Sequence, residues 1–313
     1  MQGPLSHLGI VIVTYNNESD LPRCLDSLRQ YAPGAHIVVR DCRSTDSTVD
    51  LAKQHPAVSQ VLTGDNVGFG TACNDAARSI DQTIEFLLIL NPDTEIVFDL
   101  SDLISHAAEL GDFGCVGIQQ RSASSHEIVW SWDEFPSVAL EWDKARGRKI
   151  LQRSPEGYTD DRVVDWNMGA FMLFRRESFD AVGGFDERFF MFCEEIDLCM
   201  RLSLTGRKSY YVNNFHFLHD RSDKASLWRE VLRLNSRRKY DEKWLSRSAT
   251  LACQTAHTYR WMRDMLSPGS PRDRRLAVPR ILATWNLVRA IVPPDPAQFD
   301  IDSWHAVAPF WRS

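Results

Sequence analysis

Two acidic stretches have the residue types and spacing to do chemistry. The first is Asp93, in the run Phe86 to Glu95 (FLLILNPDTE), where five consecutive apolar residues stop at Asn91-Pro92-Asp93. Ligands of open α/β sheets bind beyond the carboxyl ends of the strands, and a carboxylate placed there can hold a hard divalent cation against a phosphate. The competing reading for a single Asp is a turn or a helix cap. The second stretch is Glu194-Glu195-Ile196-Asp197, three carboxylates within four residues. Acidic residues at a helix start favour the helix dipole, but this density exceeds what capping requires. Crowding or desolvation raises a carboxyl pKa toward the range where it can act as a general base. Further on, Phe215-His216-Phe217-Leu218-His219 offers two imidazoles. In an extended segment they point to opposite faces, so only one can enter a given site.

These groups need a scaffold, and the apolar pattern supplies one. Phe86 to Leu90 reads as a central strand buried on both faces, which Pro92 ends. Gly9 to Val13 (GIVIV) reads the same way and leads into the polar turn Thr14-Tyr15-Asn16-Asn17. A helix follows, with Ser19 as N-cap, Pro22 in its first turn and Leu21, Leu25 and Leu28 on one face. Ile37 to Val39 predicts a second strand running into Asp41-Cys42-Arg43-Ser44-Thr45-Asp46, and a helix from Asp46 or Ser47. Val61-Leu62 predicts a third strand, after which Asn66-Val67-Gly68-Phe69-Gly70 opens another helix; glycines there let backbone N–H groups approach a phosphate or ribose. This βαβα order predicts a parallel sheet. A dinucleotide fingerprint would need a third glycine where Thr71, Ala72 and Cys73 stand, and no Gly-Lys-Ser/Thr phosphate loop exists.

Beyond that point, Leu100 to Leu110 predicts a helix and Phe113 to Ile118 a strand. Ser122 to Asp161 is irregular, with Trp130, Trp132, Phe135 and Trp142 among charges. Such aromatics can form a sugar-binding wall or simply dock a loop onto the body. Val163 to Phe174 (VVDWNMGAFMLF) predicts one strand, whose Gly169 and Ala170 admit close approach of a ligand or another backbone. Glu194 to Gly206 predicts a helix of about three turns, and Tyr210 to Val212 a last short strand. The tail from Ala225 predicts helix, with Arg233, Arg237, Arg238 and Lys239 forming a basic face. Ser267 to Arg275 reads as a polar linker, and Pro293-Pro294-Asp295-Pro296 precludes helix.

With 313 residues and 43% apolar content the chain can bury a full core, as one α/β domain or a domain with an appendage. A net charge of -6 gives no general reason to expect nucleic-acid binding. Charge is uneven, however: Arg221 to Arg289 holds 16 Lys/Arg against 6 Asp/Glu. An odd count of 7 cysteines, most in apolar strings, together with the lack of a cleavable apolar leader, predicts a reducing, cytoplasmic location. No apolar stretch is long enough to span a bilayer. A basic helix beside an acidic lipid or a phosphate-bearing acceptor could dock, which leaves a peripheral place on the inner face of the membrane open.

The ordered set IVIVTYN, DCRSTDST, NVGFG, LNPDTE, WNMGAFMLFRR, GGFDERFFMFCEEIDLCMR and the later His219 resembles the family-2 glycosyltransferases of the GT-A fold. Within that family it is most similar to the bacterial rhamnosyltransferase-like branch that builds surface polysaccharides, over roughly Leu8 to Lys243. The resemblance implies an α/β fold with a Rossmann-like, mixed, mostly parallel sheet flanked by helices and a catalytic domain over 1–222; the helical tail, whose far end resembles no known family, reads as a C-terminal appendage over 223–313. It implies metal-dependent, inverting transfer of a hexosyl unit, with L-rhamnosyl from dTDP-rhamnose leading, from a dTDP- or UDP-linked nucleotide-sugar to a hydroxyl of a glycan or lipid-linked acceptor. Thr14, Tyr15, Asn16, Asp41, Asn66, Gly68, Asn91 and Asp93 would line the nucleotide-sugar site. Asp93 and His219 would bind Mg2+ or Mn2+, with the histidine favouring Mn2+. Trp166, Gly169 and Asp197 would face the acceptor, and Glu195, with Glu194, would be the base. A homodimer stays open.

Two departures from the family pattern matter. Asp41 is followed by Cys42 where the family has Asn, and Glu195 stands where it has the Asp base. The second leaves three readings: an acceptor set farther back, Glu194 as base, or a weak catalyst that binds sugar-nucleotides to assist a partner transferase.

Overall fold

Each apolar run of the N-terminal region becomes a strand and each amphipathic run a helix. The order is β1 (Leu8–Thr14), α1 (Leu21–Tyr31), β2 (His36–Asp41), α2 (Thr48–Gln54), β3 (Gln60–Thr63), α3 (Phe69–Ser79) and β4 (Phe86–Leu90). The computed structural model describes residues 5–148, 155–219, 227–266 and 271–285. β1 pairs in parallel with both β2 and β4, and β2 with β3. All of β4 is buried, as a strand covered on both faces must be. Asp20, not Ser19, heads α1, and its side chain makes no capping bond.

The second half adds β5 (Thr94–Ile96), α4 (Leu100–Glu109), β6 (Val116–Arg121), β7 (Ile128–Val129), β8 (Trp132–Asp133), α5 (Val138–Ala145), β9 (Arg162–Val164), β10 (Trp166–Asn167), β11 (Phe171–Arg175), α6 (Arg176–Ala181), α7 (Glu194–Leu204) and β12 (Ser209–His219). The main sheet runs β3-β2-β1-β4-β11-β6-β12-β5. It is parallel from β3 to β4 and between β6 and β12, and antiparallel where β11 and β5 enter. Helices flank this mixed sheet, as the family resemblance implies. Leu8, Ile10, Leu25, Leu88, Leu103, Phe113 and Phe171 share its main apolar core.

Three local expectations are corrected. Val163 to Phe174 is not one strand but β9, β10 and β11. Trp166 and Asn167 leave the main sheet to pair with β8, and the Asn167 amide donates to Tyr210 O at 3.1 Å. The last strand is longer than Tyr210 to Val212: a bulge between Val212 and His216 lets β12 continue to His219, paired with both β6 and β5. Helix α5 also lies within the stretch read as irregular, opened by Ser137, whose Oγ accepts from Leu140 N at 3.2 Å.

The chain divides into two units, one of Met1–Phe135, Lys149–Arg188 and Glu194–Asp223, the other of Pro136–Arg148, Phe189–Cys193 and Lys224–Ser313. The second unit contains α5 with α8 (Leu227–Trp244), α9 (Arg247–Leu266) and α10 (Pro271–Thr284). Its basic residues are less solvated than the sequence suggests. Arg237 is turned inward, donating to Glu141 Oε1 at 3.0 Å and Asp241 Oδ1 at 2.7 Å. Arg233 and Arg238 pair with Glu230 and Glu242. Helix α10 begins inside the stretch read as a linker, with Pro271 at a helix start, where a proline costs no hydrogen bond. Pro293 to Pro296 lie outside the described residues. No described helix is long and apolar enough to cross a membrane.

Candidate active site

The carboxyl ends of β1 and β2 hold the first group of residues. Thr14 and Asp41, the last residues of those strands, are register partners. Asp41 is buried, and its carboxylate accepts from Thr14 Oγ1 at 2.9 Å, Ser44 N at 2.9 Å and Ser44 Oγ at 2.5 Å. The loops beyond are stitched together: Asn16 N donates to Ser44 Oγ, and Thr45 N to Asn16 Oδ1, both at 2.8 Å. Asn16 and Arg43 sit in the left-handed region, at φ 54° and 67°, a conformation non-glycine residues adopt only when surroundings hold it. Tyr15 stands exposed on this wall. Cys42, in place of the family's Asn, is buried, and that burial pushes its thiol up to about 11. It is inert at neutral pH.

Asn66 and Gly68 continue the wall. Asn66 Oδ1 accepts from Gly68 N at 3.4 Å, and Gly68 heads α3 at φ 94°. That backbone angle is the reason for a glycine.

Asp93 and His219 come together through strand register. Pairing of β12 with β5 sets His219 opposite Thr94, so Asp93 lies at the same end. His219 Nε2 is 3.1 Å from Asp93 Oδ1. The other ring nitrogen, Nδ1, is 2.9 Å from the buried amide of Gln120 on β6. Asn91 joins the group to the turn before β11, its N–H donating to Ala170 O at 3.0 Å. Next to Ala170, the Cα of Gly169 faces the Phe69 ring, 3.9 Å from where a Cβ would stand.

Glu194 and Glu195 open α7. The two residues before them, Phe192 and Cys193, are both left-handed, at φ 70° and 66°. Strained non-glycine backbone of this kind clusters at functional sites. Glu194 is 5% exposed, and its Oε2 is buried without a hydrogen-bond partner. Burial first, and the Glu195 charge second, raise its carboxyl well above the usual glutamate range. Glu195 is only partly buried. The first turn of α3 is also close: a Cβ at Gly70 would stand 2.9 Å from Phe185 Cβ and 3.5 Å from Glu194 Cβ. A line of contacts thus runs from Asp93 through Asn91, Gly169 and Phe69 to Gly70 and Glu194.

The remaining acceptor-side residues are placed differently. Asp197 is fully buried and receives Arg201 Nε at 2.8 Å. Trp166 is 5% exposed, donating its indole N–H to Glu134 O at 3.0 Å. Trp132 packs with Tyr158, Val164 and Tyr211, and Trp130 against them. Of the two readings of the aromatics, docking is the one that the burial of Trp132 supports; Trp130, Phe135 and Trp142 are only partly buried. Sequence reasoning missed Ser44 and Gln120. Ser44 lies inside the DCRSTDST motif, but only the Asp41 turn shows what it bonds; no motif marks Gln120, which only the β6–β12 register reveals.

Among the described residues, no group of three or more His, Cys, Asp or Glu could hold a metal ion alone. Asp93 and His219 nevertheless supply a hard oxygen and a borderline nitrogen side by side, backed by a hydrogen-bonded amide. That pair suits Mg2+ or Mn2+ when a diphosphate and water complete the shell.

The glycosyl transferase family 2 model matches residues 9–183. The chain is 32% identical over 227 residues to rhamnosyltransferase WbbL of Escherichia coli, covering 67% of this chain and 82% of that one. It is 30% identical over 245 residues to the N-acetylglucosaminyl-diphospho-decaprenol L-rhamnosyltransferase of Mycobacterium tuberculosis, covering 69% of this chain and 76% of that one. Among solved structures, mannosyltransferase PcManGT from Pyrobaculum calidifontis, in complex with GDP-Man and Mn2+, aligns with a TM-score of 0.52 at 14% identity. That alignment covers 97% of this chain and 80% of that chain and shows a shared fold.

Proposed function

Because the chain belongs to glycosyl transferase family 2, we propose that it moves an L-rhamnosyl unit from dTDP-rhamnose to a hydroxyl of a lipid-linked glycan, with inversion at the anomeric carbon. The observation that carries this reading is the 3.1 Å approach of His219 to Asp93 at the end of the sheet, on the contact line that leads to Glu194. Two relatives named as rhamnosyltransferases, one for a decaprenol-linked acceptor, support the choice of sugar and acceptor class.

In this reading the wall of Thr14, Tyr15, Asn16, Asp41, Asn66 and Gly68 holds the nucleotide, with Asp41 acting through the loop it organises. Asn91 positions Asp93. A Mg2+ or Mn2+ ion on Asp93 and His219 would offset the charge growing on the diphosphate leaving group, an effect worth several kcal/mol. Glu195, the more accessible of the two glutamates, takes the proton of the acceptor hydroxyl, a role worth ~10²–10⁴-fold in rate. Burial favours the protonated form of its neighbour Glu194. Gly169 leaves room for the acceptor, while Trp166 and Asp197 brace the elements around it. The catalytic region over 1–222 carries this work, and within the C-terminal appendage α9 presents an apolar row suited to peripheral contact with a membrane.

The test is transfer by the purified protein with Mn2+ and a lipid-linked acceptor, offered dTDP-rhamnose, UDP-glucose, UDP-N-acetylglucosamine and GDP-mannose in turn. The expected product is rhamnosylated with inverted configuration by NMR. Transfer from another donor alone would overturn the assignment of the sugar. Nucleotide binding without transfer or donor hydrolysis would favour the non-catalytic subunit.

A further inference from the structure

The geometry points to Gln120 as the positioning residue that sets which nitrogen of His219 carries the proton, and so whether that ring can bind a cation. This rests on the cation site proposed at Asp93 and His219. The two ring nitrogens of His219 face different partners, Nε2 toward Asp93 Oδ1 at 3.1 Å and Nδ1 toward Gln120 Nε2 at 2.9 Å. With the amide N–H donating to Nδ1, the ring proton sits on Nε2 and donates to the Asp93 carboxylate. A nitrogen that carries a proton has no lone pair for a metal.

Ligation beside Asp93 therefore requires the other tautomer, with Nδ1–H facing an acceptor. Gln120 already holds that acceptor: its Oε1 is buried and has no hydrogen-bond partner. A half-turn of the carboxamide exchanges its two ends and brings Oε1 onto Nδ1–H. One proton leaves Nε2 to water and one joins Nδ1 from water, so the ring stays neutral. An amide donates in one state and accepts in the other, whereas Leu does neither and an ionised Glu only accepts.

Position makes the role specific. The β6–β12 register sets Gln120 beside Phe217, and His219, two residues on, shares that face. Gln120 is 1% exposed, so water has little room to replace it.

The experiment uses the full chain labelled with 15N-histidine. Two-bond 1H–15N spectra of the imidazoles are recorded metal-free and with Mg2+ plus dTDP or UDP, and Mn2+ affinity with the same nucleotides is measured by electron paramagnetic resonance. The wild type should show His219 protonated on Nε2 without metal and on Nδ1 with Mg2+ and nucleotide. Gln120→Leu should weaken Mn2+ binding by ~10–100-fold. Gln120→Glu should hold the Nδ1–H form without metal and bind Mn2+ no more weakly than the wild type. Nδ1–H in the metal-free wild type, or wild-type Mn2+ affinity in a folded Gln120→Leu, overturns the role of Gln120. Undiminished affinity in His219→Ala overturns the cation site itself, a different failure.

Discussion

Gly70 lies directly against the helix start that carries the two glutamates: a Cβ on it would stand 2.9 Å from Phe185 Cβ and 3.5 Å from Glu194 Cβ. Both neighbours are side-chain stems fixed to the backbone, so neither can swing away. Gly70→Ala should therefore push the first turn of α3 from α7, destabilising the protein by ~1–3 kcal/mol. Since the loop ahead of α3 is assigned to the nucleotide, the donor KM should rise with it. A melting temperature and KM equal to wild type would show that this approach is not needed.

Glu194 and Glu195 should respond oppositely to the same change. Glu195→Gln is expected to lower kcat by ~10²–10⁴-fold with little effect on nucleotide binding. Glu194→Gln should leave most activity, because burial already favours the neutral form of that acid. If the second variant is dead and the first active, Glu194 is the base.

The same pair gives a pH signature. Glu194 has its carboxyl raised in the folded protein, by burial first and by the Glu195 charge second. The folded state thus holds a proton that the unfolded chain gives up at the ordinary glutamate pKa. Stability from this group is full below that value and lost as pH rises through the raised one. Thermal melting from about pH 5 to pH 8 should show Glu194→Gln gaining on the wild type as pH rises. A constant gap would mean that Glu194 titrates as an ordinary surface acid.

Much of the sheet that carries this candidate site was readable from residue order alone. β1 and β4 announce themselves because strands covered on both faces have no polar positions, and Pro92 marks where the sheet must stop and a carboxylate can emerge. The unreadable parts depend on pairing between distant segments. Nothing local splits Val163 to Phe174 into three strands; the cause is the bond of Asn167 to Tyr210 and the pairing of Trp166 with Asp133. Gln120 looks like any strand glutamine until β12 is set beside it. Arg237 reads as solvated because its partner, Glu141, comes from a helix hidden in an irregular stretch.

Asp93→Ala should remove metal-stimulated transfer, lowering kcat/KM by at least about a hundredfold while leaving the fold intact. His219→Ala should lower Mn2+ affinity and be partly rescued by raising the Mn2+ concentration, because the aspartate remains. Equal activity of wild type and Asp93→Ala at saturating Mn2+ would remove Asp93 from the mechanism.

Leu251, Tyr259, Met262, Met265 and Leu266 are exposed on α9, at a spacing that places them along one side of the helix. Such a row suits the interfacial region of a bilayer. The protein is expected to float with phosphatidylglycerol vesicles, and Met262→Asp with Leu266→Asp to abolish this without changing turnover on a water-soluble acceptor. Failure of the wild type to float would exclude this face as a membrane contact.

Within the C-terminal unit, stability should depend on one buried charge. Glu141 accepts from Arg237 at 3.0 Å and meets His257 Nε2 at 2.8 Å. Burial alone would raise its carboxyl, but Arg237 and His257 hold it well below the usual range. Removing the carboxylate leaves the buried Arg237 guanidinium with Asp241 as its remaining carboxylate partner, and losing one member of a buried charge cluster costs up to ~3–5 kcal/mol. Glu141→Ala should accordingly melt on the order of 10 °C lower at neutral pH. The sign with pH is the reverse of Glu194. A depressed carboxyl stabilises the fold above the ordinary glutamate pKa, and that contribution fades as pH falls through the depressed value. The gap between wild type and Glu141→Gln should therefore be widest near neutrality and close on acidification. A gap that holds constant down to the acid limit of folding would mean that packing, rather than charge, keeps Glu141 in place.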